Sequence, residues 1–187
     1  MDATATGLLS PDSSMSIREP IWLRDGTEVH LHAMCGDDAA ALLRFHHQLS
    51  PETTYLRFFS VHPELSAREL EQFTHVDHQN REAIVATVDD EMIGVARFDR
   101  IDGSNDAEAA FVIADRWQGE GLGTALFHRL AERACEVGID RFVAEVLPHN
   151  RRMLDVFFHA GQPVTSCLRD GDVHLEVELG PDGDGRD

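Results

Sequence analysis

A glycine-rich turn between an apolar strand and an amphipathic helix constrains the fold of this chain more than any other feature. Residues 111–124 read FVIADRWQGEGLGT, and leucines then continue at helical spacing through Leu126 and Leu130. Glycine accepts positive φ and close backbone approach, and the first N–H groups of a helix have no intrahelical acceptor. Such a turn can hold a pyrophosphate at a helix N-terminus, although three glycines also occur in ordinary tight turns.

A dinucleotide-binding fold is the first alternative that this turn suggests. Its fingerprint spaces the glycines as GxGxxG and follows the first strand of a βαβ unit. Here the spacing is GxGxG, at Gly119, Gly121 and Gly123. Three strand-like stretches precede these glycines and are joined by short polar turns, at residues 83–88, 91–99 and 107–114. Because such spacing is typical of antiparallel hairpins, the pattern favours a different fold.

The order of elements predicts one mixed sheet with helices on its faces. Helical patterns begin near Asp37, Ser50 and Ser66, the three strands follow, and the chain ends in strand–helix–strand–helix–strand order. We therefore predict an α/β (α+β) fold with a mixed, mostly antiparallel central sheet of about six to seven strands. The domain should occupy residues 21–180, between a flexible N-terminal segment at 1–20 and a flexible acidic tail at 181–187.

The charged residues exclude several classes of protein. All 16 basic residues are arginine, and 34 acidic residues bring the formal net charge to −18. Without lysine there is no Walker A loop, no protein-kinase strand lysine and no lysine Schiff base. The acidic balance argues against nucleic acid as a partner. No apolar run approaches the roughly 20 residues that span a bilayer, and no signal-peptide pattern is present, so we expect a cytoplasmic protein without a membrane partner.

The glycine-rich turn also matches the motif of a known family. GNAT acyl-CoA-dependent N-acetyltransferases write their pyrophosphate loop as Q/R-x-x-G-x-G/A, which is here Gln118-Gly-Glu-Gly121-Leu-Gly123. The strings SPETTYLRFF at 50–59, AEAAFVIAD at 107–115 and FVAEVLPHN at 142–150 resemble the bacterial protein lysine acetyltransferase branch. This resemblance extends over about residues 27–179, and it implies a GNAT-like fold with acetyl-CoA as the acyl donor.

The resemblance further implies which residues bind acetyl-CoA. The pantetheine arm would lie beside the strand at Phe111, Val112 and Ile113, held by backbone groups, with Asn150 as a further hydrogen-bonding partner. The pyrophosphate would lie over the loop, whose residues are Gln118, Gly119, Glu120, Gly121, Leu122, Gly123 and Thr124. Three arginines could offset the charge of the donor or could be solvated surface residues, and these are Arg116, Arg151 and Arg152.

Glu108 is the candidate general base. A lysine amine has a reference pKa of about 10.4, so its attack on a thioester at neutral pH requires a proton acceptor. The resembled branch has a glutamate in the matching string, and partial burial among alanines would make this carboxylate a stronger base, with a solvent-facing rim carboxylate as the alternative. A backbone N–H of Phe111 or Val112 is the candidate oxyanion donor. Many GNAT enzymes place a tyrosine acid where this chain has Phe157, so any general acid is unassigned.

The acceptor is open at the level of sequence. The leading interpretation is an enzyme that acetylates protein lysines, and the alternatives are acetylation of a small amine or a non-catalytic acyl-CoA-binding regulatory module. An acidic surface favours cationic acceptors in either enzyme. Eleven histidines show no convincing metal spacing, so no metal is expected. A homodimer is compatible with the sequence.

Overall fold

The computed structural model describes residues 19–180 and shows one eight-stranded sheet with helices on both faces. The strands are β1 (Glu19–Trp22), β2 (Glu28–Ala33), β3 (Arg81–Val88), β4 (Glu91–Arg100), β5 (Asp106–Ile113), β6 (Arg141–Val146), β7 (Val164–Arg169) and β8 (Asp172–Glu178). The helices are α1 (Ala39–Gln48), α2 (Pro51–Phe58), α3 (Ala67–Thr74), α4 (Leu122–Glu136) and α5 (Arg151–Phe158). Short 3-10 turns lie at Gly36–Asp38 and Asp115–Trp117.

The sheet contains one parallel contact, and that contact is short. The strand order is β1-β2-β3-β4-β5-β6-β8-β7, and within residues 19–180 all neighbours are antiparallel except β5 and β6. β5 pairs with β6 only from Asp106↔Arg141 to Glu108↔Val143. Beyond Glu108 the two strands separate, although β5 still pairs with β4 and β6 with β8. The facing edges of β5 and β6 are therefore available to a ligand.

Local sequence explains where the flanking helices begin. Ser50 caps α2 by accepting a hydrogen bond from the Thr53 backbone N–H at 3.1 Å, and Pro51 occupies the first helical position. Ser66 and Glu69 form a capping box at the start of α3. Gly121 precedes α4 in the left-handed region, with φ of 93°, which a residue with a side chain rarely adopts.

The two faces of the sheet carry separate hydrophobic cores. Under α4 and α5, aromatic rings pack with centroids 5.6–6.1 Å apart, and these belong to Phe98, Phe111, Phe127, Phe142 and Phe157. The helices α1 and α3 cover the opposite face, together with α2 at β5. Its smaller core comprises Met34, Leu42, Phe45, Ala83, Val85, Met92 and Val95.

The predicted fold class is confirmed, but the sheet has eight strands instead of six to seven. The additional strand is β1, which pairs with β2 through Ile21↔Val29 and begins at Glu19, inside the predicted N-terminal segment. Four residues that include a proline carry little strand signal, and only pairing with β2 defines them as a strand. The rest of segment 1–20 and the tail at 181–187 lie outside the described residues. No helix within 19–180 is long and apolar enough to cross a membrane.

Candidate active site

The divergence of β5 from β6 opens a cleft of about 380 Å³ in the middle of the sheet. Side chains from α2, β5, β6 and α5 line it, and the walls combine apolar residues with Arg57, Glu108, Glu145, Asn150 and Asp172. A cleft of this size, with a few convergent polar groups, is typical of small-molecule sites. From the cleft, β5 continues to Ile113, and the glycine-rich loop follows.

Glu108 lies at the last position where β5 pairs with β6. Alternation along the strand turns Ala107, Ala109 and Phe111 into the core beneath α4, so Glu108 faces the opposite side, where α2 packs against β5. Its side chain lines the cleft and is exposed. The expectation of partial burial is therefore wrong, because the divergence of the strands leaves this carboxylate open to solvent.

The predicted pantetheine strand uses its side chains for packing. Phe111 is buried with its ring centroid 5.6 Å from that of Phe157, and Ile113 is buried against α4. Val112 packs on the opposite face, against the smaller core. These three side chains are committed to the two cores, so the backbone edge of β5 is what this strand offers to a ligand.

The glycine-rich loop has the backbone conformation that an anion site requires. Gly119 and Gly121 have φ of 88° and 93°. Gly123 is needed for a different reason: a Cβ there would approach Val156 Cγ2 to 2.8 Å, so the missing side chain lets α4 pack against α5. Leu122 is buried in the core and Thr124 is half-buried. The first turn of α4 therefore presents N–H groups without intrahelical acceptors at the end of the loop, an arrangement that can bind an anion.

Gln118 differs from the simple expectation of a phosphate contact. Its Nε2 donates to Ile113 O at 3.0 Å and to Thr53 Oγ1 at 3.2 Å, and its Oε1 accepts from Arg152 Nη1 at 2.7 Å. The amide thus joins the loop to β5, α2 and α5. The side chain is engaged on both its donor and acceptor sides, so it positions the loop in this structure.

Asp115 fastens α2 to the same loop. It accepts hydrogen bonds from Ser50 N at 3.0 Å, Ser50 Oγ at 2.6 Å and Thr53 Oγ1 at 2.8 Å. Burial opposes ionisation, but the hydrogen bonds from Ser50 and Thr53 outweigh it and lower the pKa of Asp115. The carboxylate therefore stays ionised at neutral pH. Sequence analysis missed this residue because its partners lie more than 60 positions away.

Arg24 is a second residue that sequence reasoning missed. It lies in the turn between β1 and β2, its N–H donates to Glu120 O at 3.2 Å, and its side chain is the nearest neighbour of a Cβ built on Gly121, with Nε at 3.8 Å. Among the predicted arginines, Arg152 reaches the loop through Gln118, whereas Arg116 lies over the ring of Trp117. Arg151 is exposed at the start of α5.

Asn150 and Phe157 come to the cleft from α5. Asn150 caps the helix, with its Oδ1 accepting from Met153 N at 3.2 Å, and lines the cleft. Phe157 is 1% exposed and packs edge-on against Phe111 and Phe127. The position that often carries a tyrosine acid is therefore an apolar wall. Between residues 19 and 180 no cluster of His, Cys, Asp or Glu could hold a metal ion.

Comparison with known proteins identifies the family. The model of the acetyltransferase (GNAT) family matches residues 50–161, which include α2, the glycine-rich loop, α5 and most of the residues that line the cleft. The chain belongs to the GNAT acetyltransferase family. The resemblance seen in the sequence is thereby confirmed, and this GNAT protein is an acyl-CoA-dependent N-acetyltransferase by family.

Several relatives share most of the GNAT domain. The solved GNAT domain of S. lividans PAT is 39% identical, with a TM-score of 0.81, and the match covers 86% of this chain and 96% of that one. Acetyltransferase Pat of Mycolicibacterium smegmatis is 34% identical over 87% of this chain but only 49% of its own length. An acetyltransferase of Pseudomonas aeruginosa is 31% identical over 72% of this chain and 74% of its own.

Proposed function

We propose that this GNAT protein transfers the acetyl group of acetyl-CoA directly to the ε-amino group of a protein lysine, with Glu108 as the general base. The observation that carries the proposal is the cleft between β5 and β6, which places an exposed carboxylate beside open strand edges. The identity to Pat and to the GNAT domain of S. lividans PAT supports acetyl transfer. The strings at 50–59, 107–115 and 142–150 support a protein acceptor.

The chain provides complementary groups for each part of acetyl-CoA. The edge of β5 at Phe111, Val112 and Ile113 and the amide of Asn150 suit the pantetheine arm. The N–H groups from Gly119 to Thr124 suit the pyrophosphate, since the turn geometry and the start of α4 direct donors toward an anion. Arg24 and Arg152 supply positive charge beside the loop of an otherwise acidic protein.

Glu108 is suited to take the proton from the acceptor. It lies on the side of β5 that faces α2, away from the buried core, and is open to solvent from which a lysine can enter. Three carboxylates line the cleft, and these are Glu108, Glu145 and Asp172. Their combined charge attracts a cationic side chain. Because a thiol has a reference pKa of about 8.5, the leaving thiolate does not require a phenol at the position of Phe157.

The test is acetyl-CoA-dependent thiol release with a mixture of bacterial proteins and with a panel of small amines. We expect release with proteins and acetyl label on their lysines. Release with small amines alone would move the function to the small-molecule alternative. Calorimetric binding of acetyl-CoA with no release under any condition would instead favour the regulatory module.

A Glu108→Gln variant tests the base itself. We expect turnover at pH 7 to fall about 10²–10⁴-fold while the Kd for acetyl-CoA is unchanged. The loss should shrink as the pH approaches the amine pKa of about 10.4, because free amine then needs no base. Glu71→Gln on the exposed surface of α3 is the matched control. Turnover of Glu108→Gln equal to the wild type between pH 7 and 9 would reject the assignment.

A further inference from the structure

Arg57 is an exception among the arginines that are buried or half-buried within residues 19–180. The others each donate a hydrogen bond, and these are Arg81, Arg97, Arg100, Arg129, Arg133 and Arg141. The half-buried Arg57 guanidinium makes no hydrogen bond or salt bridge to any residue in this range, and its Cζ lies 5.0 Å from the ring centroid of Phe58. A guanidinium carries five donors, and withdrawing it from water without a partner is costly.

The charged groups around Arg57 leave its guanidinium protonated and without a hydrogen-bonding partner among residues 19–180. Burial and, to a smaller extent, the charge of Arg97 lower the pKa of Arg57 to about 10, against the opposite effects of Glu108 and Asp99. Asp99 itself is taken by Arg97, which binds both of its carboxylate oxygens at 2.7–3.0 Å. Arg57 is thus a cation at neutral pH whose donors are not committed to either carboxylate.

The position of Arg57 brings its unused hydrogen-bond donors to the cleft that contains Glu108. It lies in the last turn of α2 and lines the same cleft as Glu108, Phe111 and Phe157. Of the described residues that line this cleft, it alone is an arginine. The helix that carries it is tied to the glycine-rich loop by Asp115, so its position is linked to the donor site.

Negative charge must develop in this cleft during acyl transfer, and the position of the usual phenol is apolar. We infer that Arg57 is a further catalytic residue, whose guanidinium donates to the acyl carbonyl oxygen as that oxygen becomes negative. The inference rests on the proposed function. The carbonyl oxygen is an anion only during the reaction. A donor that has no partner in the resting enzyme therefore binds the transition state more tightly than the substrate, and this difference accelerates the reaction.

The step balances with the residues already named. The amine nitrogen forms a bond to the carbonyl carbon, and the π-electron pair moves to the oxygen beside Arg57. Before this attack Glu108 takes one proton from the ammonium group of the acceptor, and the second proton on the nitrogen passes to solvent. The electron pair then returns from oxygen, the C–S bond breaks, and sulfur leaves with its pair as the thiolate, which takes a proton from solvent.

The test compares Arg57→Ala and Arg57→Lys with the wild type and with Arg44→Met, an exposed arginine on α1. We expect kcat to fall about 10²–10³-fold in Arg57→Ala, as for the loss of one oxyanion donor, with the Kd for acetyl-CoA within about threefold of the wild type. Arg57→Lys keeps the positive charge but loses the planar, forked arrangement of donors, so its kcat should fall at least about tenfold. Added methylguanidinium should restore part of the activity of Arg57→Ala.

Three results would overturn the inference. If the kcat of Arg57→Lys lies within threefold of the wild type and methylguanidinium does not restore activity to Arg57→Ala, Arg57 has no catalytic role. A weaker Kd with unchanged kcat would make Arg57 a ground-state binding residue. If the loss disappears in a Glu108→Gln background at pH 9.5, Arg57 acts only by positioning Glu108. Should Arg57→Ala fail to fold, the lysine variant decides, and a wild type inactive with every amine would count against the proposed function instead.

Discussion

The two faces of the sheet differ in how their cores are packed. Under α4 and α5, five phenylalanine rings form a continuous core, and the buried Glu82 carboxylate on this side is paired with Arg133 of α4. Under α1, α2 and α3 the core is smaller, contains a cavity of about 40 Å³, and is bordered by Arg57, Arg97 and His46. The first face is built for close packing. The second accepts looser packing and polar side chains next to the cleft.

The difference shows how one sheet can combine a closely packed aromatic core with a face that leaves room for charged side chains beside the cleft. The loop that suits acetyl-CoA follows β5, whose Phe111 and Ile113 are buried in the aromatic core, and it is held to β5 by Gln118. Glu108 and Arg57 belong to the other face, where space and charge are tolerated. Stability and chemistry are thus separated by the alternation of side chains along a single strand.

Matched truncations of phenylalanine should reveal the difference in packing most strongly. We expect Phe127→Ala to lower the free energy of unfolding by about 3–5 kcal/mol, because its ring packs against three others. Phe45→Ala should cost less, since one side of Phe45 already faces the cavity and loses fewer contacts. Urea unfolding of both variants measures this. Equal losses would show that the two cores are packed equally well.

Removal of Arg24 should affect the donor side alone. We expect Arg24→Met to raise the KM for acetyl-CoA about five- to tenfold, as for one solvent-exposed charge-assisted hydrogen bond, with kcat and the acceptor KM unchanged. Arg169→Met on the exposed edge strand is the control.

Dephospho-acetyl-CoA, which lacks the 3′-phosphate, tests which phosphate group the predicted contact of Arg24 involves. If the variant loses affinity equally for this donor, the contact is with the pyrophosphate, and if the loss vanishes, it is with the 3′-phosphate. An Arg24→Met enzyme with a normal KM for acetyl-CoA would remove Arg24 from the site.

The smallest expected effect is a pH dependence that arises from the α1 side. Burial lowers the pKa of His46, whose Nε2 lies 2.9 Å from His62 O, and its charged or titratable neighbours are His62, His47 and Glu69. As pH falls below about 6.5, His46 takes up a proton in the unfolded chain but not in the folded chain. The free energy of unfolding therefore decreases until the pH reaches the lowered pKa of folded His46. His46→Gln should flatten this part of the curve in urea titrations at pH 5–7. An unchanged slope would assign the dependence to other histidines.

Features governed by local chain geometry were predictable from the sequence. The turn from Gly119 to Gly123, the caps at Ser50 and Ser66, and the strand at residues 107–114 follow from residue types at short spacing, and the structure has each of them. Strand β1 was missed because its four residues carry little signal without their partner. The exposure of Glu108 was misjudged, since its alanine neighbours suggested burial and the divergence of β5 from β6 prevents it.

The sequence by itself determined the family, the main strands of the sheet and the glycine-rich loop, because the signal for each depends on residues within a few positions of one another. Only the tertiary structure decided what surrounds that loop. Arg24, Asp115 and Arg57 acquire their surroundings from distant segments: Arg24 bonds to Glu120, Asp115 bonds to Ser50, and Arg57 lines the same cleft as Glu108. Burial and electrostatic environment depend on how the whole chain packs, and no short pattern of residues encodes them.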